Sequence, residues 1–347
     1  MTDIFEPSGI TTGIGSVPLA DPDAAASFVI DSGVSIPFWP QLPRRCFREQ
    51  IIPQYAHAMP CVVIDDDEEI VTFDTSDKME QLQAFYEAYL SEELQPFALD
   101  NASASGFAAM IRQADGRTWP IVKGHTVGPI SFTVGIHNAE TQPIYSDPEL
   151  RDAAVKMLTR NVQWQIAQLA PLATDRVLMF LDEPALAAYG SSTYLFISEQ
   201  DVSDMLGEVF DAIRAAGGIA AVHVCGNSDW GVIIRSRPDV VNFDAHQFGT
   251  TIALYADDVA ALFDRGGSIA WGIVPTSVDV ENETVESLQR RLDECLASLE
   301  AKGLDRDLLR RRAILTPACG TGTLSENQAG KVFQLLEGLR ASMETGA

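Results

Sequence analysis

Val177-Leu178-Met179-Phe180-Leu181, running into Asp182-Glu183-Pro184, is the stretch from which the architecture can be read. A run of apolar residues with no polar alternation describes a strand covered on both faces, the pattern of a parallel sheet flanked by helices. Two carboxylates and a proline stop it. The alternation continues in both directions. Upstream, Ile121 to His125 reads as a strand leading to Thr126-Val127-Gly128-Pro129, and Asp147-Pro148-Glu149 opens a helix running to about Leu169. Downstream, Ser198 caps a helix to Ala216, with Asp201 at the third position and Gly217-Gly218 as its stop. Strands then fall at Ile219 to Val224, Val240 to Phe243, Ser268 to Ile273 and Ala313 to Thr316. Helices separate and follow them near Trp230 to Arg235, Ala253 to Phe263, Thr284 to Lys302 and Ser325 to Met343.

Toward the N-terminus, Gly9 to Pro18 is β-prone and glycine-rich, and Asp21-Pro22-Asp23 opens an Ala-rich helix to about Asp31. A second strand covers Val34 to Trp39, with Pro40 to Arg45 as the loop after it. Residues from about 45 to 117 read as an insertion between the second and third core strands. It holds a hairpin from Cys61 to Thr72, tipped by Asp65 to Glu69, and a helix from Ser76 to Leu94. Counting from Thr12 gives eight strands, each followed by a helix or helical insertion. A single α/β domain spanning 1–347, a (β/α)8 TIM barrel, is the economical closure of that pattern, and a doubly wound open sheet is its alternative.

Composition narrows the function. Hydrophobic residues make up 46% and charged residues 21%, a globular balance. No stretch reaches the roughly 18 uninterrupted apolar residues of a spanning helix. The N-terminus has no basic segment leading into an apolar one, so the expected location is cytoplasmic. Five unevenly placed cysteines suit a reducing compartment better than a disulfide framework. With 49 acidic against 24 basic residues the net charge is -25, which excludes nucleic acid as a natural partner and fits a solubilising surface.

In a barrel, active sites lie at the C-terminal ends of the strands. There the sequence gathers Gly15-Ser16, Gln41, Lys123 to His125, Asp182-Glu183, His223 to Cys225, Asp244 to His246 and Cys319. In an extended segment residues i and i+2 share a side, so His223 and Cys225 can reach one ion. A His and a Cys on an apolar run are commonly core residues. Cys319, at the end of the last strand, supplies the third donor that changes this reading. Zinc suits such a set, with Asp244, His246 or a substrate sulfur in fourth position. Coordination keeps a thiol ionised at neutral pH, and the thiolate is the nucleophile.

Four segments carry a resemblance. Thr12-Gly13-Ile14-Gly15-Ser16-Val17-Pro18, Leu181-Asp182-Glu183-Pro184-Ala185-Leu186, His223-Val224-Cys225-Gly226 and Thr316-Pro317-Ala318-Cys319-Gly320 are similar to motifs of the C-terminal catalytic barrel of cobalamin-independent methionine synthase. That family belongs to a superfamily with uroporphyrinogen decarboxylase and the corrinoid:thiol methyltransferases. The resemblance implies zinc on His223, Cys225 and Cys319, with Asp244 where the synthases have a Glu ligand. It implies homocysteine held by Ile14, Gly15, Ser16, Gln41 and the Asp182-Glu183 carboxylates, these two also serving catalysis. Gln41 stands where the family has a carboxylate for the amino group. The chain length leaves no room for the synthases' N-terminal, folate-binding barrel. A short core form using methylcobalamin, carried by a separate corrinoid protein docked near residues 45–117, is therefore expected. The alternatives are another thiol acceptor such as coenzyme M, or a non-catalytic zinc-binding barrel. A decarboxylase is disfavoured, since Arg44, Arg45 and Arg48 stand without that family's Arg-rich start.

Overall fold

The computed structural model describes residues 5–345. The strands are β1 (Ile10–Thr11), β2 (Val62–Asp65), β3 (Ile70–Phe73), β4 (Trp119–Val127), β5 (Ala173–Asp182), β6 (Ile219–Val224), β7 (Val240–Phe243), β8 (Ser268–Val274) and β9 (Ala313–Pro317). Seven of them form one parallel sheet in the order β1-β9-β8-β7-β6-β5-β4, and β2 and β3 make a separate antiparallel hairpin. Residues 36–41 close the gap between the sheet's two edges. Ile36 N donates to Thr11 O at 2.9 Å on one side, and Lys123 N donates to Pro37 O at 2.8 Å on the other. The sheet is thus a closed (β/α)8 barrel.

This second stave is a chain of isolated bridges and not the continuous strand expected over Val34 to Trp39. Pro37 and Pro40 have no N–H to give a ladder, so pairing survives only between them and beside them.

The barrel ring begins with α1 (Pro22–Asp31), capped by Asp21, whose side chain accepts from Ala24 N. Within the extra segment, α2 (Lys78–Leu90) precedes α3 (Ser105–Ala114), and α3 packs on α1. It therefore occupies the position of a barrel helix, so the expected insertion of about 45–117 includes one element of the ring. After β4 come α4 (Pro129–Gly135) and α5 (Pro148–Leu169). The capping box of α6 (Glu199–Ala215) forms as read, with Ser198 and Asp201 bonded reciprocally. The ring continues through α7 (Trp230–Arg235), α8 (Ala245–Phe248), α9 (Ala256–Asp264), α10 (Val285–Glu300), α11 (Arg306–Arg311) and α12 (Glu326–Thr345). Among the described residues no helix is long and apolar enough to cross a membrane.

Two apolar cores result. The larger lies between sheet and helices. The smaller fills the barrel with Ile14, Ile36, Ile121, Leu178, Phe180, Ile219, Ala221, Val240, Ala270 and Ile314. The period of two then puts Lys123, His125, Asp182, His223, Asn242 and Thr316 on the same inner face, nearer the C-terminal mouth.

Candidate active site

His223 is the last inward-facing residue of β6, Cys225 follows just past the strand's end, and Cys319 lies just past β9. One ligand atom from each falls within 4.8 Å of the others, the one such metal-competent group of three among the described residues. A tetrahedral ion with bonds of about 2.0–2.3 Å needs donors about 3.3–3.8 Å apart, so modest side-chain movement seats it. The donors also fit chemically. Burial pulls the His223 imidazole down to about 4, so at neutral pH the ring is uncharged. Cys225 is pulled down to about 7, chiefly by the hydrogen bond from Cys319. That same hydrogen bond pushes the Cys319 thiol up. The pair thus shares a proton that a cation would displace.

Asn242 fixes which His223 nitrogen is available. The Asn242 Nδ2 donates to Ala270 O and to Thr316 Oγ1, both at 2.8 Å, so its Oδ1 is the atom 2.5 Å from His223 Nδ1. An amide oxygen can only accept, so Nδ1 carries the proton and Nε2 keeps its lone pair. Asn242 is completely buried.

Asp182 and Glu183 part company. Asp182 points into the barrel, and its buried Oδ1 has no hydrogen-bond partner among the described residues. Burial pushes it up to about 7, with Lys123 opposing. Glu183 instead turns to α4. Its Oε1 accepts from Ile130 N at 2.9 Å, and its Oε2 from Ser131 N at 2.7 Å and Ser131 Oγ at 2.6 Å. Burial pushes this carboxyl up to about 7 against those donors. A Cβ on Gly128 would stand 2.2 Å from Glu183 Oε1, so only glycine fits there. The Glu183 N–H donates to His223 O at 2.8 Å, tying this turn to the strand that carries His223 and Cys225.

The first strand's residues lie around the same mouth. Ile14 packs its side chain in the barrel core, and its carbonyl accepts from Lys123 Nζ. Gly15 O accepts from Gln41 N at 3.0 Å, and a Cβ on Gly15 would meet the His125 ring at 2.9 Å. Ser16 Oγ accepts from Gly322 N at 3.3 Å, joining the first strand to the loop after Cys319. Gln41 donates through Nε2 to Gln54 Oε1 at 2.8 Å, and Gln54 donates to Ser103 O at 2.5 Å. The relay turns the Gln41 carbonyl oxygen away from Gln54, as an acceptor.

No protein-family model matches the chain, and no curated protein matches it. Solved structures do. A methyltransferase from Methanosarcina mazei is 13% identical, with a TM-score of 0.56 over 94% of this chain and 87% of that one. A B12-independent methionine synthase from Shewanella sp. W3-18-1, in complex with selenomethionine, is also 13% identical, with a TM-score of 0.55 over 97% of this chain and 98% of its own. The chain has the fold of these enzymes.

Asp244 and His246, the alternative protein candidates for the fourth position, lie outside the group of three. Asp244 Oδ1 accepts from Gln247 N at 2.9 Å and caps α8, and burial pushes its carboxyl up. His246 faces Glu283, its Nε2 2.9 Å from Oε1. Asn242 was not foreseen. Its signal was present as the single polar residue within the otherwise apolar Val240–Phe243 strand.

Proposed function

We propose that this barrel is a thiol methyltransferase that holds zinc on His223, Cys225 and Cys319 and moves a methyl group to homocysteine, giving methionine. The convergence of one imidazole and two thiols from two strand ends at the barrel mouth carries this reading. When bound, zinc would keep a substrate thiol deprotonated at neutral pH. The chain's own residues supply the rest. Asn242 holds the His223 ring with Nε2 inward, and Asp182 offers a carboxylate to the substrate ammonium. The Gln41 carbonyl, oriented by Gln54, is a second acceptor for that group. Sulfur takes the methyl as a cation equivalent, and the donor keeps the bonding pair.

The donor we infer is a methylcorrinoid, arriving as a substrate on methylcobalamin or on a separate corrinoid protein. A second reading changes only the acceptor: Gln41, an amide where the related motif has a carboxylate, favours a thiol with less need for ammonium binding. Metal analysis with X-ray absorption at the zinc edge, with and without homocysteine, tests the core of the proposal. A new sulfur neighbour on adding homocysteine is expected. Protein purified without chelators yet lacking metal would remove it, and stoichiometric zinc indifferent to every thiol would favour a non-catalytic zinc barrel.

A further inference from the structure

Lys123 and His125 stand two residues apart on the inner face of β4, below and at the level of the mouth. Both are buried, at 0% and 1% exposure. Lys123 donates to Ile14 O and lies 4.3 Å over the Phe180 ring. Among the described residues no carboxylate comes within ion-pair distance of it. An ammonium has three N–H donors, so this cation has bonding capacity left over in an apolar layer. His125 is stacked on Trp39, centroids 3.9 Å apart and planes at 18°. Neither of its ring nitrogens has a hydrogen-bond partner among the described residues. One of those nitrogens must be an N–H, and a buried donor without an acceptor is costly. Asp182 opens onto the same mouth from the adjacent strand, and His223 from the strand beyond it.

We propose that Lys123 and His125 form a seat for an acid group, a carboxylate or sulfonate, on the thiol substrate, so that the site selects short thiols bearing an anion. This rests on the thiol reading above and adds to it a determinant of substrate choice. An anion there would receive N–H bonds from both side chains and give Lys123 a direct ion pair, which Asp182, acting on it only from beyond ion-pair distance, does not. Asp182, on the neighbouring strand β5, would face the ammonium of a zwitterion. Burial pulls Lys123 down to about 8, which leaves it cationic at neutral pH.

The test uses cobalt-loaded protein, in which thiolate ligation gives a charge-transfer absorption, titrated with homocysteine, 3-mercaptopropionate, 2-mercaptoethanesulfonate, cysteamine and 2-mercaptoethanol. Acid-bearing thiols should bind at least about tenfold more tightly than 2-mercaptoethanol, a difference of about 1.4 kcal/mol. In Lys123→Met and in His125→Phe that preference should fall to about twofold or less, with 2-mercaptoethanol binding unchanged. The carboxylate and sulfonate arms distinguish the two acids. In a second arm, butyrate or ethanesulfonate should raise the melting temperature of the metal-free protein but not that of Lys123→Met. This arm needs no thiol chemistry, so failure of the thiol reading leaves it informative. Equal binding of neutral and acid-bearing thiols in the parent protein, or a preference that survives both substitutions, would overturn the seat. No response to any thiol would overturn the thiol reading instead. Lys123→Met keeps the length of the side chain without its charge, and circular dichroism checks that it is folded before titration; His125→Phe repeats the test independently.

Discussion

His223 can offer Nε2 to a metal only while Nδ1 holds the proton, and Asn242 enforces that arrangement through an amide whose orientation is set by Ala270 O and Thr316 Oγ1. Removing the amide leaves a buried Nδ1–H unpaired and the ring without a fixed tautomer. Asn242→Ala should therefore weaken zinc binding by about 10–100-fold, measured by competition with a chromophoric chelator; unchanged affinity would mean the hydrogen bond has no part in holding the ligand. The sulfur donors make a separate prediction about protons. His223, pulled down to about 4, is already neutral above pH 5 and releases none. Cys225, at about 7, is a thiol at pH 6 and a thiolate above pH 8, while Cys319 remains a thiol throughout. Metal uptake should therefore release about two protons near pH 6 and about one above pH 8, read by calorimetry in buffers of different ionisation enthalpy. A release that does not fall with rising pH would exclude the shared-proton pair. The grouping of His223, Cys225 and Cys319 was legible in the sequence because a period of two and a strand end place them without tertiary knowledge. Asn242 was not, because its use depends on what two neighbouring strands, β6 and β8, and the inner face of β9 present to it.

Glu183 shows how an element can claim a residue that a motif assigns to chemistry. Read in sequence, Asp182-Glu183 is a pair of carboxylates at a strand end, but successive side chains on a strand point to opposite faces. Asp182 faces the barrel, and Glu183 caps α4 through its contacts with Ile130 and Ser131. The α4 helix was invisible beforehand, since seven residues with β-branched members and a terminal glycine give no helical period. Glu183→Ala should cost about 3 kcal/mol or more of unfolding free energy in urea, because it strands three buried donors. Thiol affinity per folded molecule should barely change. A loss within about 0.5 kcal/mol, the range of ordinary surface substitutions, would return Glu183 to the list of substrate contacts. The second stave teaches a related lesson: Val34 to Trp39 has strand composition, yet Pro37 and Pro40 limit it to isolated pairings that only the flanking β1 and β4 make recognisable as part of a barrel.

At the scale of the whole molecule, the barrel was readable because its alternation repeats and needs no single boundary to be right. The extra segment was harder, since α3 belongs to the ring by its packing on α1 and by nothing in its own sequence. Charge is the remaining global property, and it bears on stability. A formal charge of -25 on one folded chain is self-repulsive, and folding brings those charges closer together. Salt shortens the Debye length from roughly 20 Å at 0.02 M to roughly 4 Å at 0.5 M. It also weakens surface ion pairs such as Arg48 with Asp66, which make bonds of 2.7, 2.8 and 2.9 Å. Each exposed pair contributes about 0–1 kcal/mol, and only 24 basic residues are available to form pairs against 49 acidic ones. The uncompensated acids should decide the sign. The melting temperature should rise by several degrees between 0.02 and 0.5 M sodium chloride, and choline chloride should give the same rise if screening, and not a specific sodium site, is responsible. A melting temperature that falls over this range would mean that the local ion pairs outweigh the net repulsion.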